Sequence, residues 1–259
     1  MKLRVVPART GMLWVRLGMK AFFKQPLALA GLFFLFMACV SVLSIVPVLG
    51  NIMALALLPA ATLGLMEASR MAAEGKFPMP RVLASALTAG KSTRQAMLVL
   101  GGWYAVAFLG VMAVSALVDG GDFARLYLVG GSLSQEALLE PDFQMATWVA
   151  LGLYLPVSLM FWHAPALVFW YGIAPVKSLF FSFMACKRNF GALTVFGLTW
   201  LGTFVLVGLA ITLIGSLLGS PELAGAAMFP VAMVMASMFF SSIYFTFSDS
   251  FELPPEPTA

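Results

Sequence analysis

The sequence has little charge and few side chains that carry chemistry. Only 10% of its 259 residues are charged, 61% are hydrophobic, and it contains two cysteines and one histidine. Soluble domains carry roughly 25% charged residues, so the polar shell that a soluble protein of this length needs is missing. The composition therefore excludes a soluble globular protein and indicates an integral membrane protein.

Catalytic motifs are missing as well. The chain has no HExxH, no GxxxxGK[ST], no GxGxxG after a strand and no GxSxG. Neither cysteine belongs to a CxxC or metal-type spacing. A lone histidine with no nearby carboxylate does not complete a metal coordination shell, and acid–base catalysis generally needs two groups in contrasting environments. We therefore expect no enzyme, no metal and no cofactor.

Six apolar runs are long enough to cross about 30 Å of hydrocarbon, at roughly 20 residues each. They cover residues 26–47, 51–69, 95–118, 145–169, 190–218 and 226–247. The predicted fold is all-α, a polytopic bundle of six transmembrane helices that forms a single domain over residues 1–248. Residues 249–259, with three acids and two adjacent prolines, are predicted to form a disordered cytoplasmic tail.

Basic residues are distributed unevenly between the connections. Fourteen of the fifteen precede the first run or lie in the connections between runs two and three and between runs four and five. The other, Arg125, lies with five acids in the loop 119–144. By the positive-inside rule both termini are expected to be cytoplasmic. The net charge of +4 then reflects topology and attraction to anionic headgroups, and no nucleic-acid partner is expected.

Each basic group lies on an amphipathic stretch before an odd-numbered run. The three stretches, 11–24, 80–94 and 174–189, have a cation at or next to their end: Lys24, Arg94 and Arg188. The sequences KQPLAL, RQAMLV and RNFGAL begin at these cations and align in register. Positive-inside topology alone would also demand charges at these places. Three occurrences at corresponding places favour a degenerate threefold pseudo-repeat of one basic interfacial helix and two spans. The repeats are 11–72, 80–172 and 174–248.

These features carry a family resemblance. The six-span layout, the basic helix ending in KQPL and the proline-to-glycine run that ends the fourth span resemble an uncharacterised group of beta-proteobacterial six-span inner-membrane proteins. The arrangement is also similar to YciC-like proteins and to the membrane domain that accompanies some glycerophosphodiester phosphodiesterases. The resemblance implies a location in a bacterial inner membrane and a fold more than an activity, because these families have no established mechanism that could be carried over residue by residue. The hydrolase domain that sometimes accompanies that membrane domain is absent here, so phosphodiesterase chemistry is not expected.

The stretch FWHAPALVFWYG, residues 161–172, is the main candidate site. It predicts either an aromatic collar at the membrane interface or a ligand-binding group. Pro165 lacks a backbone donor, so a freed carbonyl near residue 161 could accept a bond from the imidazole. The candidate binding residues are His163, Trp162, Pro165, Trp170 and Tyr171.

Other charged groups have simpler interpretations. Glu67 is three residues before Arg70, which predicts an ion pair at the membrane boundary. The loop 119–144 is predicted to form two short helices in FARLYLV and SQEALLE on the outer leaflet. Its carboxylates are expected to be solvated, with no partner holding them in place. They are Asp119, Asp122, Glu136, Glu140 and Asp142.

The sequence favours a non-enzymatic membrane protein that interacts with lipids or with other membrane proteins. Its partners would be membrane lipids with anionic headgroups, with a membrane protein or a second copy of the chain as alternatives. The predicted headgroup contacts are Lys20, Lys24, Arg94, Lys187 and Arg188. The alternative function is a facilitative transporter or channel for a neutral or apolar solute, with helix breaks at Pro59 and Pro165.

Overall fold

The computed structural model describes residues 2–130 and 134–252, and the elements in these ranges are helical. A 3-10 turn, Pro80–Ala84, precedes α4. The helices are α1 (Thr10–Lys24), α2 (Pro26–Ser44), α3 (Leu49–Ala73), α4 (Ser85–Thr88), α5 (Lys91–Asp119), α6 (Asp122–Leu128), α7 (Gln135–Leu139), α8 (Pro141–Trp162), α9 (Ala164–Tyr171), α10 (Pro175–Arg188), α11 (Phe190–Leu217) and α12 (Pro221–Ser250).

The prediction of six membrane-spanning helices is confirmed. In the described residues six helical segments are long and apolar enough to span a bilayer: α2, α3, α5, α8 together with α9, α11 and α12. Several extend a few residues beyond the predicted apolar runs, because a helix continues past the hydrocarbon into the headgroup region. The element order also places a short helix before each predicted pair of spans, while the pseudo-repeat itself stays a prediction.

The chain divides into two compact units. The first unit falls within Met1–Leu35, Gly64–Leu83 and Ala185–Ala259, and the second within Phe36–Leu63 and Ala84–Met184. The first therefore contains α1, α11 and α12, and the second contains α4 to α9.

In the first unit, α1 packs against both α11 and α12. A Cβ atom at Gly11 would overlap the backbone of α11 at Ala192, and one at Gly18 would overlap Ser242 of α12. These two glycines lie on the same face of α1, about two turns apart. They let α1 approach α11 and α12 closely, as small residues do between membrane helices. Between them lies Trp14, fully buried, whose indole N–H donates to Asp249 Oδ2 at 2.8 Å.

Asn189 ties the N-terminal segment to the end of α12. Its Oδ1 accepts from the Val6 N–H at 2.9 Å, and its Nδ2 donates to the Arg4 carbonyl at 3.0 Å and to Ser250 Oγ at 3.2 Å. Phe251 pairs with Leu3 in an antiparallel bridge. Of the predicted tail, residues 249–251 thus lie in α12 and this bridge, and the Glu252 N–H donates to the Lys2 carbonyl at 3.3 Å. Residues 253–259 lie outside the described residues.

In the second unit, α5 packs along α8, and α6 covers one end of this pair. Phe123 of α6 is buried with Val111 of α5 and Phe143 of α8 in one apolar cluster. Further along, the hydroxyl groups of Tyr104 and Tyr154 lie 2.8 Å apart, so these polar atoms satisfy each other inside the helix pair.

The loop between α5 and α8 contains the two predicted short helices, α6 and α7, and Gly130 has a φ of 81°. Gly131, the other glycine expected at this break, lies outside the described residues. The expectation that Asp119 has no partner is wrong. Its Oδ1 accepts from the Gly121 N–H at 2.9 Å and its Oδ2 from the Phe123 N–H at 2.7 Å. These N–H groups lie at the start of α6, where an acceptor is otherwise missing, so Asp119 holds α6 in place.

Candidate functional site

The candidate stretch 161–172 coincides with a break between two helices. His163 ends α8 and precedes α9, and Pro165 lies in the first turn of α9, where its missing N–H costs no helical hydrogen bond. The predicted break at Pro165 is therefore present. Pro59, in contrast, lies inside α3, which continues from Leu49 to Ala73, so the predicted matching break is absent.

A side chain from α10 fills this break. In a continuous helix the His163 N–H would donate to the Leu159 carbonyl. Instead, it donates to Ser182 Oγ at 2.9 Å, and the same hydroxyl donates to the Leu159 carbonyl at 2.8 Å. Ser182 thus inserts into the hydrogen-bond ladder of the helix, a recognised cause of kinks. Ser182 was not predicted from the sequence. Ser178 and Ser182 nevertheless lie one helical turn apart, which is the spacing of small residues on one buried face of a helix.

The five predicted binding residues do not share one environment. His163 is 1% exposed and Pro165 is also buried, whereas Trp162, Trp170 and Tyr171 are half-buried. The half-buried rings fit the predicted aromatic collar, since such rings have an apolar body and a polar edge. A ligand could reach the imidazole only if the surrounding helices moved. The role of His163 stays a prediction.

A second candidate site lies on the exposed face of α1. Apolar and cationic side chains alternate there: Met12 is 54% exposed and Phe23 is 63% exposed, and Arg9, Arg16 and Lys20 are exposed too. At about 100° per residue, these positions form one continuous arc opposite Trp14 and Gly18. The helix therefore buries one face in protein and presents cations and large apolar groups on the other.

The predicted headgroup residues differ in their hydrogen bonding. Lys24 Nζ donates to the Ala73 carbonyl at 2.6 Å, at the end of α3, where a cation is favoured by the helix dipole. Among the described residues, the side chains of Lys20, Arg94, Lys187 and Arg188 make no hydrogen bond or ion pair.

Several other cations are paired within the protein. The predicted ion pair between Glu67 and Arg70 is confirmed at 2.7 Å, and Arg70 also lies 3.7 Å from Glu74. Lys76 lies 2.7 Å from the other oxygen of Glu74. The carboxylates of Glu67 and Glu74 therefore pair with cations near the end of α3. They do not neutralise the cations of α1.

The predicted headgroup residues of α10 and α5 lie at helix ends. Lys187 and Arg188 form the last turn of α10, and Arg94 lies in the first turn of α5. Phe180, on α10, is 59% exposed. Like α1, α10 therefore exposes apolar and cationic groups together, while small residues such as Ser178 are buried.

Each unit also contains an apolar groove. In the second unit, a groove of about 310 Å³ lies among α2, α3, α5 and α6, and it includes Asn51 and Tyr127. Asn51 Nδ2 donates to the Leu128 carbonyl at 2.6 Å, which fixes the end of α6 over this groove. In the first unit, a groove of about 440 Å³ lies among α1, α11 and α12. No group of three or more potential metal ligands occurs in the described residues.

Comparison with known proteins gives one informative relationship. No protein-family model matches the chain, and no solved structure matches it. The chain is similar to a protein of Burkholderia thailandensis described as a probable inner membrane protein, with 38% identity over 254 residues that cover 97% of this chain and 94% of the relative. This similarity and the six apolar helices make the chain an integral membrane protein, and it belongs to the family of that probable inner membrane protein.

Proposed function

We propose that the protein is a non-enzymatic component of the inner membrane that binds anionic lipids at its cytoplasmic face, with both termini in the cytoplasm. The observation that carries this proposal is the exposed face of α1. A helix surface that exposes both Phe23 and Lys20 is unfavourable in water, but at a bilayer surface the ring enters the apolar region and the ammonium group meets phosphates.

The fold supports a fixed orientation of this face. Gly11, Trp14 and Gly18 hold the opposite face of α1 against α11 and α12, so the helix cannot rotate its cations away from the surrounding lipid. Because the helix is already formed and docked, lipid binding does not have to offset the entropy of ordering it.

The cations of α1 support the same conclusion. In the part of the chain that the structure describes, neither Arg16 nor Lys20 has an anionic partner. A cation near an anionic membrane surface contributes about 1 kcal/mol, which corresponds to roughly a fivefold change in affinity. Anionic phospholipid headgroups are the abundant partners of opposite charge at that surface.

The test compares lipids retained by two charge-reversal variants. Lys20→Glu changes α1. Arg125→Glu changes α6, which follows three of the six spans and in the proposed topology lies on the opposite side of the membrane. Both substitutions change net charge equally. After extraction into polymer-bounded native discs, the ratio of anionic to zwitterionic lipid in the tightly held fraction should fall by at least about fivefold for Lys20→Glu, which removes a cation and adds an anion. The ratio should stay unchanged for Arg125→Glu. Equal ratios in both variants and the parent protein would contradict the proposal.

If the exposed face of α1 instead binds a membrane protein or a second copy of the chain, Lys20→Glu should release a protein partner and leave lipid composition unchanged. That outcome would replace lipid by protein as the occupant of this face. Size analysis of the same native discs distinguishes the two results.

A facilitative transporter or channel for a neutral or apolar solute is the second candidate. The break at His163 favours it, because interrupted membrane helices often surround transport sites. Ser182 satisfies the backbone groups at this break, and α3 has no matching interruption. Transport predicts that His163→Ala alters solute flux in reconstituted vesicles, and no flux of any tested solute would exclude this function.

A further inference from the structure

The groove of the first unit is formed by the crossing of three helices. Gly215 of α11 contacts Ala224 of α12 closely, which fixes these two helices together near one end. Near the other end, α1 lies across both helices. Between these contacts the groove runs along α12 from Met238 to Pro230, a distance of about 12 Å at 1.5 Å per residue.

The walls of this groove offer no hydrogen bond to an occupant. Its polar side chains are already used: Trp200 Nε1 donates to Ser242 Oγ at 3.1 Å, and Thr203 Oγ1 donates to the Thr199 carbonyl at 2.7 Å. The remaining lining is hydrocarbon and thioether, including Val234 and Met235. In the apolar core of a bilayer a groove of this kind is filled by hydrocarbon, because water would find no polar partner.

One end of the groove is Met19 of α1. At about 100° per residue, Arg16 lies about 60° and Lys20 about 100° around the helix from Met19, toward the outward face of α1. Both cations are exposed. From this end, the groove passes the Met238 side chain and continues toward Pro230. An amphiphile with a negative headgroup and a flexible chain would therefore meet positive charge at α1 and apolar wall beyond it.

We propose that this groove is a binding site for one anionic phospholipid, with an acyl chain between α11 and α12 and the phosphate at Arg16 and Lys20. This inference rests on the proposed function and makes it specific: a single lipid is held at a defined position, in addition to any general attraction to the membrane surface. Phosphates accept hydrogen bonds from arginine with good geometry, which favours Arg16 as the main headgroup contact.

The test fills the groove without changing charge. Val234→Trp places an indole in the groove from α12, and Val205→Trp places the same side chain on a half-exposed position of α11 outside the groove. Native mass spectrometry counts phosphatidylglycerol bound to each variant after release from nanodiscs that contain phosphatidylglycerol and phosphatidylethanolamine. Val234→Trp should lose one tightly bound phosphatidylglycerol, and Val205→Trp should retain it.

The combination of Val234→Trp with Arg16→Glu provides the discriminating result. If both act on one lipid, the combined variant should lose no more than either single variant, since such effects are not additive. Retention of the lipid by Val234→Trp overturns the groove site. The proposed function then survives if Lys20→Glu still lowers the anionic fraction, and fails if it does not.

A second variant tests whether loss of the lipid results from misfolding. Val207→Phe fills the groove from α11 with a smaller change, and it should lose the same lipid if Val234→Trp does not fold. A free inorganic phosphate, added as a competitor, should leave the bound lipid in place, because it cannot occupy the groove. Displacement by phosphate at millimolar concentration would show that the headgroup contacts alone hold the ligand and would overturn the acyl-chain site.

Discussion

Replacing Gly18 by alanine should separate α1 from α12. A Cβ atom at this position would overlap both the backbone and the side chain of Ser242, and overpacking of a close contact costs about 1–3 kcal/mol. Alanine also favours the helix over glycine by about 1 kcal/mol. Gly197→Ala in α11 is the matched control, because a Cβ there has no neighbour within 4 Å. We therefore expect Gly18→Ala to be less stable than Gly197→Ala by about 1–3 kcal/mol.

The assay uses the buried thiol of Cys186. In a Cys39→Ser background, labelling of Cys186 by a maleimide during a thermal ramp in mild detergent reports opening of the first unit. Gly18→Ala should label at a lower temperature than Gly197→Ala. Identical labelling temperatures, or a higher one for Gly18→Ala, would show that α1 is not held by this close approach and would refute the fixed orientation on which the lipid proposals depend.

Three further changes test the packing that positions the candidate sites. Ser182→Ala should destabilise the solubilised protein by about 1–3 kcal/mol, because it removes the bridge between the buried His163 N–H and the Leu159 carbonyl. Ser178→Ala, which loses only a local bond to Pro175, should cost less. Equal melting temperatures would argue against the bridge. Asp119→Ala should increase proteolysis at α6 and cost about 0.5–2 kcal/mol, and unchanged cleavage would show that Asp119 does not hold this helix. His163→Ala should lower thermal stability and leave retained lipids unchanged, while a changed lipid composition would assign the histidine to lipid binding.

The spans and short loop helices could be predicted from the sequence because their signals are local. A long apolar run has few alternatives to a membrane helix, and glycine near residue 130 separates two helical patterns. The ion pair of Glu67 with Arg70 was also predictable, since residues three apart lie on one helical face.

The contacts that position the candidate sites could not be predicted in the same way. The amphipathic pattern of α1 shows that it has an apolar face, but not that this face is buried against α11 and α12 instead of lipid. Ser182 and the carbonyl it bridges are separated by 23 positions, and no local pattern reports that contact. Pro59 illustrates the opposite error: proline weakens a helix locally, yet α3 remains continuous.

A spin label at Phe23 shows whether the outward face of α1 lies in the lipid interface. Electron paramagnetic resonance of the Phe23→Cys protein in nanodiscs, with Cys39 replaced by serine, compares collisions of the label with oxygen, which concentrates in lipid, and with a water-soluble nickel complex. If this face lies in lipid, the label at Phe23 should have strong oxygen and weak nickel accessibility, and a label at Glu74 should show the reverse. Nickel accessibility at Phe23 equal to that at Glu74 would place this face of α1 in water and exclude its contact with lipid.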